Sequence, residues 1–325
     1  MFLLLLTGCS PDAAAITDAA AITDAAAITD AAAITDAAPV PGCTTRAAPT
    51  GRAAGSNELQ PGAQRLRAAT SPDGISWTRL PATVTDQAAT PSLTRTPDGL
   101  PLLYMTAHRP SGTMDATTVA IGSIDGTAWT HCAIERVGFP PGLLGVDPDI
   151  VRRSDGSYRL FLTGDVSGGR VGIHYADSSD GLRFTYGGVA FARATSTLDS
   201  MTFEAGGAWH LYALDAMSIA MVHAVATDGA SFTLADTSER RLDGAPQVLS
   251  QAALVEGQLR LYGFGPMGRE LRSFTTTDGT TLVGDSRLLL SIADAPPEES
   301  VFVKDPAVTS LADGTYLMIY STVIP

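Results

Sequence analysis

Polar side chains stand at matching places in five repeated segments of this 325-residue sequence. Three acids begin such segments, and they are Asp147, Asp199 and Asp305. A second group ends or directly follows the apolar runs of these segments, and it consists of His108, Arg109, Asp165 and Asp215. Carboxyl groups that lie close together shift one another's pKa values. If the fold gathers these residues, they can carry out acid–base chemistry or bind a polar ligand.

The elements that would position them begin with a turn phrase that occurs five times. "SPDGISW" (71–77) returns as "SIDGTAW" (123–129), "SSDGLRF" (178–184), "ATDGASF" (226–232) and, more weakly, "TTDGTTL" (276–282). Successive aspartates of this phrase are separated by 52, 55, 48 and 50 residues. Such a period suits either a four-stranded propeller blade or a helical repeat. Asp-Gly between β-rich runs is typical of a tight hairpin turn, which favours strands.

A second phrase alternates with the first. It occupies residues 90–108, 147–165, 199–216, 251–265 and 305–322. Each copy has a strand, a Gly-containing turn and a strand of alternating apolar residues such as Tyr158, Leu160 and Leu162. Two hairpins per period make four strands, and such units bury their faces by stacking radially. The sequence therefore predicts an all-β protein, a β-propeller with four-stranded antiparallel blades.

The ends of the repeat region indicate five blades. The last hairpin, 305–322, has no second hairpin after it, and the segment 65–80 has no first hairpin before it. Pairing the two completes a fifth blade and removes the exposed sheet edges. We therefore expect the propeller to span residues 64–325, closed by strands from both ends.

Topology divides the predicted residues between two faces of the propeller. With blade strands named A to D from the axis outward, the A–B and C–D turns lie on one side, which we call the turn face. The B–C and D–A loops lie on the other side, the mouth face. The A strands are expected to start on the mouth face, around the axis, at Thr90, Asp147, Asp199, Gln251 and Asp305. Asp149 is predicted to be structural, because strand alternation turns it away from Asp147.

The turn phrases are predicted to be scaffold. Their Ser, Thr and Asp side chains can satisfy the backbone groups of their own turns. The aromatic residues that close the phrases are expected to pack between blades, and they are Trp77, Trp129, Phe184 and Phe232.

The segments "DPDIVRRSDGSYRLFLTG" and "DPAVTSLADGTYLMIYST", with the S-x-D-G-x-x-W/F phrases, resemble the five-bladed glycoside hydrolases of families 43, 32 and 62. The resemblance covers about residues 64–325 and implies a carbohydrate partner. In family 43, the A strands of three successive blades supply an Asp base, an orienting Asp and a Glu acid. Inverting hydrolysis needs two carboxyl groups about 6.5–9.5 Å apart. The resemblance makes Asp147, Asp199 and Asp305 the catalytic candidates and places the second polar group around the substrate.

The sequence departs from that family's pattern. No three successive A-strand positions are acidic, and the place of the acid after Asp147 and Asp199 is expected to fall on Gln251. Two classes of function therefore stay open, a glycosidase with altered acids and a non-catalytic propeller that binds a glycan or a protein. A sialidase fits less well, because its Asp-containing turn is spaced differently and its fold has six blades.

The N-terminal run "FLLLLTGCS" resembles a bacterial lipoprotein signal in which Cys9 becomes the lipidated N-terminus. It lacks a positive start and is short, so either the true start lies upstream or the signal is atypical. Residues 1–9 are thus predicted to be the signal, and residues 10–63, which begin with the repeat "DAAAIT", a tether and linker. By analogy with lipoprotein sorting, Ser10 favours the outer membrane of the cell envelope.

The other two cysteines, Cys43 and Cys132, are predicted to form a disulfide, with two free buried thiols as the alternative. A formal net charge of −13 argues against a nucleic-acid partner. Motifs for phosphate, zinc or serine-hydrolase chemistry are missing from the sequence. We expect a monomer without a cofactor. Calcium stays possible by resemblance to arabinanases, in which a central His, here His108, helps to hold a cation.

Overall fold

The computed structural model describes residues 42–109, 115–218, 220–242, 244–265 and 267–325, apart from the side chain of Ser286. Cys9, the predicted signal and residues 10–41 of the predicted tether lie outside the described residues. Among the residues that are described, no helix is long and apolar enough to cross a membrane.

The described chain is built almost entirely from strands, which form five small sheets. Before the first complete blade come β1 (Thr45–Arg46), a 3-10 turn (Pro61–Ala63), β2 (Gln64–Ser71) and β3 (Thr78–Asp86). Blade 1 contains β4 (Ala88–Arg95), β5 (Pro101–Ala107), β6 (Ala116–Gly122) and β7 (Trp129–Cys132). After β8 (Glu135–Val137), blade 2 contains β9 (Val146–Arg152), β10 (Tyr158–Val166), β11 (Arg170–Ser178) and β12 (Arg183–Phe191).

The remaining blades follow the same plan. Blade 3 contains β13 (Thr197–Ala205), β14 (Ala208–Asp215), β15 (Met221–Ala226) and β16 (Thr233–Ser238). After β17 (Arg240–Leu242), blade 4 contains β18 (Ala245–Val255), β19 (Gln258–Phe264), β20 (Glu270–Thr276) and β21 (Val283–Ser291). Two 3-10 turns (Ile292–Asp294 and Pro297–Glu299) lead to β22 (Lys304–Ser310) and β23 (Tyr316–Val323) of blade 5.

Blade 5 is completed by strands from both ends of the propeller, as predicted. Its order is β22-β23-β2-β3, and β2 pairs antiparallel with β23 from Gln64↔Val323 to Ser71↔Tyr316. The five-bladed fold of four-stranded blades is confirmed. Short strands extend three of the sheets, since β1 joins β7, β8 joins β12 in parallel and β17 joins β18.

The core lies between neighbouring blades, in five clusters of buried apolar side chains. The Asp-Gly turns contribute to these contacts. At three junctions a B-strand tyrosine donates its hydroxyl hydrogen bond to the glycine carbonyl of the next blade's turn, in the pairs Tyr104–Gly181, Tyr212–Gly279 and Tyr262–Gly74. A side chain at Gly181 or Gly279 would come within 2.7 or 2.4 Å of the preceding blade, and both have positive φ. The repeated phrase therefore docks each blade on its neighbour as well as reversing the chain.

The segment before the propeller is attached to blade 1. A disulfide joins Cys43 to Cys132, the last residue of β7, with a Cα–Cα distance of 5.2 Å. Beside it, β1 pairs Thr45 with Cys132 and Arg46 with His131. The predicted disulfide is thus present in the structure, and Cys132 is fully buried.

Candidate functional site

All five A strands are interrupted near their starts, and the acids lie at these interruptions. The pairing of β4, β9, β13, β18 and β22 with their B strands shifts register at this point. In four blades the first residue of the bulge has a left-handed backbone, with φ of 47° at Thr90, 48° at Asp147, 51° at Asp199 and 53° at Asp305. A bulge next to an unusual φ redirects a side chain and is common beside functional sites. Here the bulges place three carboxyl groups around the axis.

These residues line one narrow cavity of about 20 Å³, which we call the acid mouth. Its wall includes Thr90, Asp147, Asp199, Leu249 and Asp305. Asp147 and Asp199 come from adjacent blades, whereas blade 5, which supplies Asp305, adjoins neither of those two. Asp305 therefore faces the other two acids across the mouth. The structure thus brings together the three residues that sequence analysis selected as catalytic candidates.

The two adjacent acids form a proton-sharing pair. Burial raises the pKa of Asp199 well above its ordinary value, and the negative charges of Asp147 and Asp305 raise it further. Burial also raises the pKa of Asp147, but a hydrogen bond from Asp199 opposes that rise. Two carboxyl groups in contact do not both ionise near neutral pH, so they retain one proton. The pair as a whole therefore carries one proton and one negative charge.

Threonines of the B strands hold this pair in place. The amide of Asp147 donates to Thr106 Oγ1 at 2.8 Å, and the amide of Asp199 donates to Thr163 Oγ1 at 3.2 Å. Thr163 also hydrogen-bonds to the carboxyl of Asp147 and lowers its pKa. Since the hydroxyl oxygen accepts from Asp199, its single proton is free to be donated to Asp147. Thr163 therefore favours the ionised form of Asp147 and the protonated form of Asp199.

Lys304 balances part of the negative charge. Its Nζ lies 2.8 Å from Asp305 Oδ2, and the ammonium lowers the pKa values of Asp147 and Asp199, which opposes the effect of burial. Burial lowers the pKa of Lys304, but the charge of Asp305 and the other two acids outweighs this and raises it. Lys304 therefore stays charged at neutral pH. The mouth is a cluster of three carboxyl groups and one ammonium.

The loop before Lys304 is anchored by a buried ion cluster. Glu299, fully buried, accepts hydrogen bonds at 2.9 Å from Arg67 Nε, Arg79 Nε and the Tyr320 hydroxyl. A buried carboxylate with three such donors is well compensated. This cluster fixes the end of the D–A loop that carries Lys304 into the mouth.

The prediction that Gln251 begins the fourth A strand is wrong. Gln251 pairs with Tyr262, just as Asp149 pairs with Phe161 in blade 2, so both follow the bulge. The position that corresponds to Asp147 and Asp199 is Leu249, which is fully buried. The place of the family's acid therefore holds an aliphatic residue. The error is one of register, because Gln251 follows the bulge residue to which the other blades' positions correspond.

Gln251 has a different role, because it crosses the axis. Its side-chain amide accepts from the Leu93 amide at 3.0 Å and donates to the Leu93 carbonyl. Since Leu93 belongs to blade 1, this pair of bonds spans two non-adjacent blades. Gln251 also lines a larger cavity of about 360 Å³, together with Asp149, Thr202 and Glu204 among others. Burial raises the pKa of Asp149 to about 8. Asp149 therefore does not share the acid mouth.

The remaining predicted site residues do not line the acid mouth. His108 and Arg109 line a separate cavity of about 230 Å³, where Asp115 accepts from the Arg109 amide and contacts the His108 ring at 3.1 Å. Asp165 lines another pocket together with Asp147. Asp215 is 8 % exposed, pairs with Arg193 and accepts from the Met217 amide at 2.8 Å. Their roles in substrate binding stay predictions.

A central cation does not fit the acid mouth. Within the described ranges, no group of three or more His, Cys, Asp and Glu residues is arranged to hold a metal ion. His108 lies outside the mouth, and the Lys304 ammonium already supplies positive charge beside Asp305. One of the oxygens that calcium would need is also occupied by the proton shared between Asp147 and Asp199. We therefore assign no chemical step to a metal.

Two features of the mouth carried sequence signals that were not used. Lys304 is the only lysine in the whole sequence, and it directly precedes Asp305. Thr106 and Thr163 occupy equivalent places two residues before His108 and Asp165. Leu249 precedes the second residue of its A–B turn by the same number of residues as Asp147 and Asp199 precede theirs. Aligning the repeats on this turn would therefore have identified Leu249.

Comparisons with known proteins agree with this architecture. No protein-family model matches the sequence, and no curated protein matches it. Solved structures do match. A thermostable family-43 glycoside hydrolase is similar over 73 % of this chain and 88 % of its own, with a TM-score of 0.56 and 12 % identity. A protein of unknown function from Dyadobacter fermentans is similar over 83 % of this chain and 86 % of its own, with a TM-score of 0.54 and 14 % identity.

A putative glycoside hydrolase from Parabacteroides distasonis is similar over 72 % of this chain and 86 % of its own, with a TM-score of 0.53 and 16 % identity. At such identities the likeness establishes the fold and leaves the chemistry to the residues of the site. The chain has the five-bladed propeller fold found in glycoside hydrolases.

Proposed function

We propose that the mouth face binds a carbohydrate and hydrolyses a glycosidic bond. The observation that carries this proposal is that the surroundings of the three acids favour different protonation states. Asp199 retains a proton because burial and the charge of Asp147 raise its pKa, while Asp305 is an ion-paired carboxylate across the mouth. Glycoside hydrolysis needs one carboxyl group of each kind. A binding site needs no such division.

In the proposed mechanism, Asp199 donates its proton to the glycosidic oxygen as that bond breaks. Asp305 accepts a proton from water, whose oxygen forms the new bond to the anomeric carbon. Asp147 stays ionised, orients Asp199 through their hydrogen bond and stabilises positive charge that develops on the sugar. Proton exchange with solvent then restores Asp199 and Asp305. For inversion, the attacking water would have to lie between Asp305 and the anomeric carbon, on the side of the sugar opposite Asp199.

A non-catalytic glycan-binding propeller is the second candidate. The observation in its favour is Leu249, which stands where the blade after Asp199 would supply the family's acid. In that case the acids would accept hydrogen bonds from sugar hydroxyls without cleaving the chain.

The test uses the full chain with Cys9→Ser, incubated with aryl glycosides and with plant and microbial polysaccharides. Released aryl alcohol or reducing ends are measured for the parent, Asp199→Asn and Asp147→Asn, with the exposed turn variant Asp98→Asn as the matched control. Hydrolysis predicts turnover by the parent and the control and a loss of about 100-fold or more in both site variants. Glycan binding without turnover by the parent would instead support the binding module.

We further propose that the protein acts in the bacterial envelope, anchored through Cys9. The Cys43–Cys132 disulfide supports a location outside the reducing cytoplasm. Metabolic labelling with a palmitate analogue, comparing the native chain with Cys9→Ala, tests the anchor, and labelling of both chains alike would contradict it.

A further inference from the structure

A second pocket opens beside the acid mouth and shares Asp147 with it. Its volume is about 290 Å³, far larger than the mouth itself. On the scale of about 30 Å³ per water molecule it has room for a sugar ring. It lies between the loop that precedes β9 and the start of blade 3. Its aliphatic wall consists of Leu143, Leu144, Val146, Val171 and Leu198.

The loop that forms much of this wall is fixed from behind. The guanidinium of Arg136 donates to the carbonyls of Leu143 and Leu144, and also to the carbonyl of Thr117 at 3.2 Å. The amide and hydroxyl of Thr117 donate to the Gly145 carbonyl at 2.9 and 3.2 Å. The carbonyls of Leu143, Leu144 and Gly145 therefore have protein partners. A ligand inside it meets aliphatic side chains in a preformed arrangement.

The charges around the pocket all have one sign. Asp115, Asp147 and Asp165 line it, and no Arg, Lys or His is among its described lining residues. A ligand carboxylate or sulfate would therefore find no cationic side chain among the described lining residues and would lose hydration without a partner there. A neutral ligand can place hydroxyls against the acids and an apolar group against the aliphatic wall.

We propose that this pocket holds a neutral sugar residue with an apolar substituent, such as the C6 methyl group of a 6-deoxyhexose. This substrate class rests on the proposed function, because the sugar would lie next to the bond that Asp199 protonates. It goes further by excluding uronic acids and sulfated sugars from this position. The juxtaposition of an aliphatic pocket with Asp147 carries the inference.

The experiment measures binding and therefore does not depend on turnover. Methyl glycosides in the galacto, gluco and manno series, in which C6 is a methyl, hydroxymethyl or carboxylate group, are titrated into the full chain with Cys9→Ser by calorimetry. In any series that binds, we expect the 6-deoxy sugar to bind about 5- to 10-fold more tightly than the hydroxymethyl sugar. The carboxylate should bind at least 10-fold more weakly than the 6-deoxy sugar.

Two variants assign the preference to the pocket. Leu143→Asn makes the wall polar and Val171→Phe fills the space, so each should weaken 6-deoxy binding about 10-fold. Leu254→Asn, at an exposed leucine of the turn face, is the matched control and should change nothing. Circular dichroism establishes that each variant is folded.

The outcomes separate this inference from the proposed hydrolysis. Equal affinity for all C6 groups, tightest binding of the carboxylate, no binding in any series, or normal binding by both folded variants would overturn the pocket assignment. Binding of the 6-deoxy sugar without turnover of any glycoside would overturn hydrolysis and leave the pocket assigned. Turnover with no C6 preference would overturn the pocket alone.

Discussion

Aspartates on the two faces of the propeller differ in what surrounds their carboxyl groups. Each of the five repeated turn phrases on the turn face carries one, at Asp73, Asp125, Asp180, Asp228 and Asp278, and the pKa of each is lowered. In Asp73 the main cause is the hydrogen bond from the Ser76 amide, which at 2.7 Å stabilises the charged carboxylate. In the mouth, by contrast, burial raises the pKa values of Asp147 and Asp199.

The difference shows that the residue type does not set the role. A turn carboxylate accepts hydrogen bonds from amides of its own turn, and it is accessible to solvent. A mouth carboxyl lies on a bulge whose amide is bonded to a neighbouring threonine, so its own oxygens are left for another acid or a ligand. The first arrangement stabilises a turn, and the second keeps a proton available for transfer.

The comparison is tested most strongly by removing the proton donor. Asp199→Asn keeps the shape of the side chain but cannot protonate a leaving group, so we expect glycoside turnover to fall by 10²- to 10⁴-fold. Asp228→Asn, in a turn, should keep parental turnover. The measurement is the initial rate on the best aryl glycoside, with thermal unfolding as the control for folding. Equal losses in the two variants would contradict the division of roles.

Asp149 extends the comparison to stability. Burial raises its pKa from 3.8 to about 8, so the folded state binds a proton that the unfolded state releases between those values. The contribution of Asp149 to the free energy of unfolding therefore decreases as pH rises from about 4 to 8, by up to about a few kcal/mol. We expect Asp149→Asn to reduce this decrease, measured by urea unfolding at pH 5, 7 and 9. Asp147 and Asp199 titrate in the same direction, so part of the decrease should remain.

An Asp149→Asn variant with the same pH dependence as the parent would show that Asp149 is not protonated in the folded state. Asp98→Asn serves as the control, because Asp98 is exposed in a turn.

Thr163 tests how the shared proton is assigned. Thr163→Val removes the hydroxyl that lowers the pKa of Asp147, so that pKa should rise further. The limb of the pH–rate profile that requires ionised Asp147 should then move to higher pH, with about a 10-fold loss of turnover at pH 6. Thr163→Ser retains the hydroxyl and should restore the profile. A loss of rate without any shift of the profile would indicate that Thr163 acts only through packing.

The architecture was predictable because it depends on local patterns that repeat. Asp-Gly turns, alternating apolar residues and the incomplete hairpins at both ends specified five blades and their closure without any long-range information. The positions of Asp147, Asp199 and Asp305 followed, because three similar segments align by simple spacing.

The geometry of the mouth could not be predicted in the same way. The register of blade 4 depends on a bulge and on a short turn, so Gln251 was chosen where Leu249 lies. The contact between Asp147 and Asp199 and the bond of each amide to Thr106 or Thr163 join residues of different blades. Such contacts follow from how blades pack, which a repeat pattern does not encode.

The smallest expected effect concerns a turn aspartate, and it tests whether the turn carboxylates stabilise the fold. Asp73 accepts from the amides of Ile75 and Ser76 at 2.8 and 2.7 Å, at a turn that docks on blade 4 through Tyr262. Solvent screens part of this carboxylate, so Asp73→Ala should cost about 1 kcal/mol of unfolding free energy. That corresponds to a decrease in Tm of about 2–4 °C.

Because the pKa of Asp73 is lowered in the folded state, its contribution is complete above the unfolded value near 3.8 and is lost as pH falls below it. The difference in Tm between the parent and Asp73→Ala should therefore be present at pH 7 and shrink towards pH 2.5, as scanning calorimetry can measure. Asp73→Asn, whose side-chain oxygen can still accept from an amide, should recover part of the loss. Glycoside turnover should stay at the parental rate, since Asp73 lies on the turn face. A loss of turnover in the folded variant would mean that the turn face and the mouth face are coupled, and it would contradict the separation of scaffold from chemistry.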